Sequence, residues 1–114
     1  MREFSMPALA QIPATANLAD VVFRRAAEQP QAVILRRPSE GSGASEGSGG
    51  WADVTASQFK DEVIAVAKGL VAAGIEPGDR VALMSRTRYE WTLIDYAIWT
   101  AGAVTVPVYE TSSA

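Results

Sequence analysis

The chain has 114 residues, 48% hydrophobic and 20% charged, with a formal net charge of -3 and neither cysteine nor histidine. That length fits one domain or a piece of a larger one, and the composition suits an ordinary globular core. Without Cys and His there are no disulfides, thiol nucleophiles, Cys/His zinc sites or histidine bases, and the acidic balance argues against a nucleic-acid partner.

Residues 1–16 carry Pro7 and Pro13 and little periodicity, which predicts an extended N-terminal arm. Arg24 and Arg25 follow early, so no apolar run there is long enough for a signal peptide or a membrane span. The want of cysteine fits a cytoplasmic protein. From Asn17 onward the pattern becomes regular. Asn17 is expected to cap a short helix with Asp20 in its first turn, Leu18, Val21, Val22 and Ala26 as its apolar stripe, and an end before Pro30. Ala32–Leu35 reads as a strand closed by Arg36, Arg37 and Pro38.

Ser39–Gly50 is the low-complexity segment, with SEGSG at 39–43 and again at 45–49. Glycine and serine at this density bury too little apolar surface to offset chain entropy, so a flexible loop is expected. It would connect the strand at Ala32 to a short one at Trp51–Val54 as an expanded hairpin, or serve simply as a linker. It makes a poor phosphate loop, because no lysine-bearing helix follows it directly.

The helix expected over Ala56–Ala73 has a start, a face and a stop that agree. Thr55 and Gln58 form a capping box, and Val54 can staple onto Phe59. Phe59, Val63, Val66, Ala67 and Leu70 make the buried stripe, with Lys60, Asp61, Glu62 and Lys68 off it. Gly74 suits the left-handed cap position with Ile75 closing over Leu70, and Pro77-Gly78-Asp79 turns the chain.

The stretch from Gly74 to Ala114 then reads strand, helix, strand. Val81–Met84 is an unbroken apolar run, the mark of a strand covered on both faces. Thr87 with Glu90 predicts a capping box opening a helix to Ala101, its stripe Trp91, Ile94, Ile98 and Ala101, its stop Gly102. Val104–Tyr109 is the second strand. Two strands joined through such a helix should be parallel neighbours with a right-handed crossover, a βαβ unit.

No nucleophile elbow, phosphate loop, metal-ligand spacing or paired-carboxylate site is present, so no catalytic, cofactor-binding or metal-binding residue is assigned. Arg86 and Arg88 beside the C-terminal end of a parallel strand could meet an anion, although solvated arginines on a turn are the favoured reading. Tyr89, Trp91, Tyr96 and Trp99 are better explained by core packing than by a ligand stripe, since Trp91 and Tyr96 do not share a helical face. Thr111, Ser112 and Ser113 read as a turn or a helix start.

The run GDRVALMSRTRYEWTLIDYAIWTAGAVTVPVYETSSA, from Gly78 to Ala114, resembles the N-terminal region of AMP-forming acyl-CoA synthetases, most closely the long-chain fatty acid–CoA ligases of actinobacterial type. MREFSMPAL, NLADVVFRRAAEQPQAV and WADVTASQFKDEVIAVAKGLVAAGI are similar to the same family, and only the Ser39–Gly50 insert departs from its pattern. The resemblance implies an α/β fold, with residues 17–114 an incomplete N-terminal part of an adenylate-forming domain. It also implies a two-step reaction. ATP and a fatty acid give acyl-adenylate and pyrophosphate with magnesium assisting, and the coenzyme A thiol then displaces AMP. The family's phosphate loop and catalytic lysine are implied to lie beyond Ala114, so the expectation for these residues is a structural role, packed on the remainder of the domain. Peripheral membrane contact and homodimerisation of the parent stay open. A complete small α/β interaction domain and a flavodoxin-like nucleotide binder are the alternatives, and an isolated chain of this kind is expected to be inactive and to self-associate.

Overall fold

The computed structural model describes residues 2–39 and 50–111. Among them the elements run α1 (Asp20–Glu28), β1 (Val33–Pro38), β2 (Trp51–Thr55), α2 (Ala56–Ala72), β3 (Arg80–Met84), α3 (Tyr89–Thr100) and β4 (Val104–Val108). Residues 2–19 reach the first helix without forming a strand or helix of their own.

Asn17 does open α1, from two residues upstream of the cap position. Its Oδ1 accepts from the backbone of Ala19 and Asp20, and Asp20 Oδ2 accepts from Asn17 N–H in return. The expected stripe is half right. Val22 and Ala26 are buried, but Leu18 and Val21 are exposed and Ala19 is buried in their place. The first turn begins beyond Leu18, which puts that side chain outside the helical register.

β1 and β2 pair antiparallel, Leu35 opposite Val54 and Pro38 opposite Trp51, with a register shift between Val33 and Leu35. β1 outruns the apolar stretch Ala32–Leu35, because the backbones of Arg36 and Arg37 also find partners on β2, and Arg36 reaches Asp53 across the ladder at 2.7 Å. At the open end Ser39 donates from both N–H and hydroxyl to the Gly50 carbonyl, each at 2.9 Å. The Gly/Ser repeat at 40–49 lies outside the described residues.

α2 starts and stops as its sequence dictates. Thr55 Oγ1 accepts from Gln58 N–H and Gln58 Oε1 accepts from Thr55 N–H, the full capping box. At the other end Gly74, at φ 97°, donates to Val71, and Ile75 donates to Leu70, so the carbonyls of the last turn are satisfied.

β3 and β4 are parallel neighbours, Val81 opposite Thr105 and Met84 opposite Val108, with α3 as the connection. Two hydrogen bonds join the neck of this unit: Gly78 N–H to the Gly102 carbonyl at 2.9 Å, and Val104 N–H to the Asp79 carbonyl at 2.7 Å. Gly102 takes φ 80°, and a Cβ there would stand 3.3 Å from Pro77 Cβ, so both conformation and space demand glycine.

α3 departs from expectation at its start and on its face. It begins at Tyr89, not Thr87, and Arg88 in the cap position is extended with no side-chain cap. The Thr87–Glu90 box does not form, because the Glu90 carboxylate is taken by Arg88 Nε. The most buried residues are Tyr89, Leu93, Ala97 and Ile98, whereas Trp91, Ile94 and Ala101 are half-buried. The helix is wedged between α2 on one side and the β3–β4 pair on the other, so its apolar surface spans two faces.

One cluster holds the layers together: Val22 of α1, Val54 of β2, Phe59 and Val63 of α2, and Tyr89 and Leu93 of α3. Full burial of such a side chain is worth about 1.5–3 kcal/mol. Among the described residues the β1–β2 and β3–β4 pairs share no ladder, and α3 packs against both. The face of the β3–β4 pair away from α3 is bare among the described residues, with Met84 66% and Val104 51% exposed and Val106 beside them. The two-sided cover anticipated for β3 is thus present on one side.

Candidate functional site

The C-terminal ends of β3 and β4 open into a cleft of about 390 Å³, lined by Ser85, Arg86, Thr87, Trp91 and residues 107–110. This is the edge at which parallel sheets hold ligands, because the loops leaving the strands diverge there. Arg86 stands on the cleft wall and meets Glu110 at 3.4 Å. Its side chain is 85% exposed, so that pair contributes little, about 0–1 kcal/mol.

Arg88 is not part of the cleft lining. It pairs with Glu90, whose carboxyl is held below its ordinary range by the hydrogen bond from the Arg88 guanidinium. The two arginines, with only Thr87 between them in sequence, therefore serve different partners. The aromatic residues divide likewise. Trp91 forms a wall of the cleft, whereas Tyr96 packs edge-on against Phe59 at 5.7 Å and against Trp99 at 5.0 Å. Thr111 is exposed, and Ser112 and Ser113 lie outside the described residues.

At the first residue of α3 lies a three-residue latch that sequence reading missed. The Tyr89 hydroxyl donates to Glu62 Oε2 at 2.7 Å, Arg37 Nη1 stands 3.4 Å from Glu62 Oε1, and the Arg37 guanidinium lies 5.0 Å from the centre of the Tyr89 ring. Burial raises the Tyr89 pKa by disfavouring the phenolate, and the bond to Glu62 adds to that by holding the neutral form. β1, α2 and the first residue of α3 are thereby tied together. The latch thus anchors the first residue of α3, a helix with no side-chain cap of its own. Periodicity put Glu62 off the buried stripe and Arg37 at a strand end; nothing in the spacing brings the two to Tyr89.

Chemically the cleft offers a guanidinium, three hydroxyls and an indole. That set can hold an anion or a flat ring. Its one carboxylate, Glu110, is engaged with Arg86. Among the described residues no group of three or more His, Cys, Asp or Glu side chains stands together to hold a metal ion. No helix among them is long and apolar enough to cross a membrane.

The sequence pattern of the AMP-binding enzymes matches residues 22–114. The chain belongs to that family. Among AMP-binding relatives it is 43% identical, over all 114 of its residues, to the long-chain-fatty-acid–CoA ligases FadD15 of Mycobacterium bovis and Mycobacterium tuberculosis. It spans 18% of the length of those relatives. Two solved structures show a similar arrangement of elements. A fatty acid AMP ligase from Legionella pneumophila superposes with a TM-score of 0.69 at 26% identity, over 85% of this chain and 16% of that one. CmiS6 superposes with a TM-score of 0.70 at 26% identity, over 95% of this chain and 26% of that one. The α/β fold and the family anticipated from the Gly78–Ala114 run are both found.

Proposed function

We propose that these residues form the N-terminal scaffold of a long-chain fatty acid–CoA ligase, which activates a fatty acid with ATP as acyl-adenylate and passes the acyl group to coenzyme A. The observation that carries the reading is the 43% identity to such ligases across the whole chain. Two structural features support it. The bare face at Met84, Val104 and Val106 is of the kind that parallel strands bury against further layers of their own domain. The cleft at the strand ends supplies binding groups, with its carboxylate already paired, as suits a scaffold that leaves the chemistry to residues elsewhere.

The test is fatty-acid-dependent ATP–pyrophosphate exchange. A polypeptide of the relatives' length that carries these residues should exchange with palmitate, and the 114-residue chain by itself should not. Exchange by the 114 residues alone would put catalysis where no base or phosphate loop stands. A longer polypeptide that exchanges with amino acids or aryl acids but not with palmitate would move the substrate class.

A further inference from the structure

In the first turn of α3 one carboxylate has two claimants. Glu90 accepts from Arg88 Nε, and Arg88 stands extended in the cap position at φ -155° and ψ 172°. Thr87 nevertheless lies three residues before Glu90, the spacing of a capping box. In that arrangement Thr87 Oγ1 accepts from Glu90 N–H, and the Glu90 carboxylate accepts from Thr87 N–H. The chain forms such a box at α2, where Thr55 and Gln58 bond reciprocally. Between those two stand Ala56 and Ser57, with no charge to compete; between Thr87 and Glu90 stands Arg88.

From this contrast we propose that the start of α3 is a two-state switch, with Glu90 held either by Arg88, as here, or by Thr87 in a capping box. The two states exclude each other. A box makes Arg88 the first helical residue, and residues two apart on a helix do not face one another, so Arg88 then loses Glu90. The states are also close in free energy. The side chains of the Arg88–Glu90 pair are 60% and 49% exposed, which leaves it weak. A cap is of the same order, so the populations differ by no more than about tenfold. Both ends of the segment are fixed, Met84 by its pairing with Val108 and Tyr89 by its bond to Glu62. The change therefore falls on residues 85–88. Coiling Arg88 shortens its share of the path from about 3.3 Å to about 1.5 Å, which draws Thr87 about 2 Å toward the helix. Thr87 lines the cleft at the ends of β3 and β4, so the switch reshapes that wall.

The test is NMR of the isotopically labelled 114-residue chain, read from the Cα chemical shift of residue 88 and the amide exchange of residue 90. Wild type should show Arg88 extended. Glu90→Gln removes the charge that holds Arg88 and repeats the threonine–glutamine spacing of α2, so it should form the box. Arg88→Gln frees the carboxylate and should do the same. In both variants the shift at residue 88 should cross to the helical side. Exchange at residue 90 should slow about fivefold, the effect of one cap. Adding Thr87→Val, which keeps the shape and loses the hydroxyl, should return both readings to those of wild type. Salt at about 1 M, where the Debye length is about 3 Å, should move wild type the same way as Arg88→Gln. Thr87, Arg88 and Glu90 are all exposed, and an unmoved Leu93 signal reports that the body of the helix is intact. Arg88 still extended in either single variant overturns the switch. So does a helical residue 88 in the Thr87→Val double variants, or a wild type that ignores salt.

Discussion

Replacing Tyr89 by phenylalanine removes one oxygen and leaves the ring in place against Phe59, 6.1 Å away, and under Arg37. What is lost is the 2.7 Å hydrogen bond to Glu62. A bond to a charged group is worth about 1.5–3 kcal/mol when well buried. Here the carboxylate is 33% exposed and keeps Arg37 as a partner, so the loss should be about 1 kcal/mol at neutral pH. The pH dependence gives a sharper reading. The folded chain holds the Tyr89 proton past the ordinary tyrosine range, whereas the unfolded chain releases it near pH 10. A pKa raised by folding stabilises fully below the unfolded value and is lost as pH climbs past it, because only the unfolded state then gains by ionising. The difference between the wild-type and Tyr89→Phe chains should therefore be flat to about pH 9 and cancel near pH 11, at up to 1.4 kcal/mol per pH unit. Urea unfolding at several values between pH 7 and pH 11.5 is the assay. A gap that stays constant or widens across that range would refute the latch as described.

Four further outcomes are expected in the same unfolding assay. Gly102→Ala should lose about 1–3 kcal/mol, more than Gly74→Ala, because both glycines have positive φ but only Gly102 would drive a Cβ into Pro77. Thr55→Ala breaks the capping box of α2 and should cost about 1 kcal/mol. Ile98→Ala empties a fully buried position of α3 and should cost about 2–5 kcal/mol. Deleting residues 39–44 leaves Ser45 to follow Pro38 and should shift stability by no more than about 0.5 kcal/mol, the range of surface changes away from special features.

Local signals were the legible ones. The Thr55–Gln58 box, the Gly74 and Gly102 stops and the apolar runs of β3 and β4 each involve residues close in sequence, and all are present. The misplaced start of α3 shows the limit of such signals. Thr87 and Glu90 have the spacing of a cap, but Arg88 sits between them with a stronger claim on the carboxylate. The stripe of α3 was misjudged because one helix serves two neighbours, and a single periodic face cannot report that. In the cleft, Arg86 could be read from its place at a strand end, whereas the Arg37–Glu62–Tyr89 latch joins three elements distant in sequence. Its residues carry no mark until the fold brings them together.

The two hydrogen bonds at the neck of the βαβ unit have a kinetic consequence. Parallel pairing is slow because its partners are far apart along the chain, and the entropy of closing the intervening loop is lost before any contact compensates. Here Gly78 bonds to Gly102 and Asp79 to Val104, so the ring shuts at its base the moment α3 is capped. Every later rung, from Val81–Thr105 to Met84–Val108, then adds next to one already made. The strands can zip instead of searching. A unit that closes in this way finishes early, with Met84, Val104 and Val106 still facing water. During synthesis a chaperone would meet a folded ring with one adhesive side, not a loose chain.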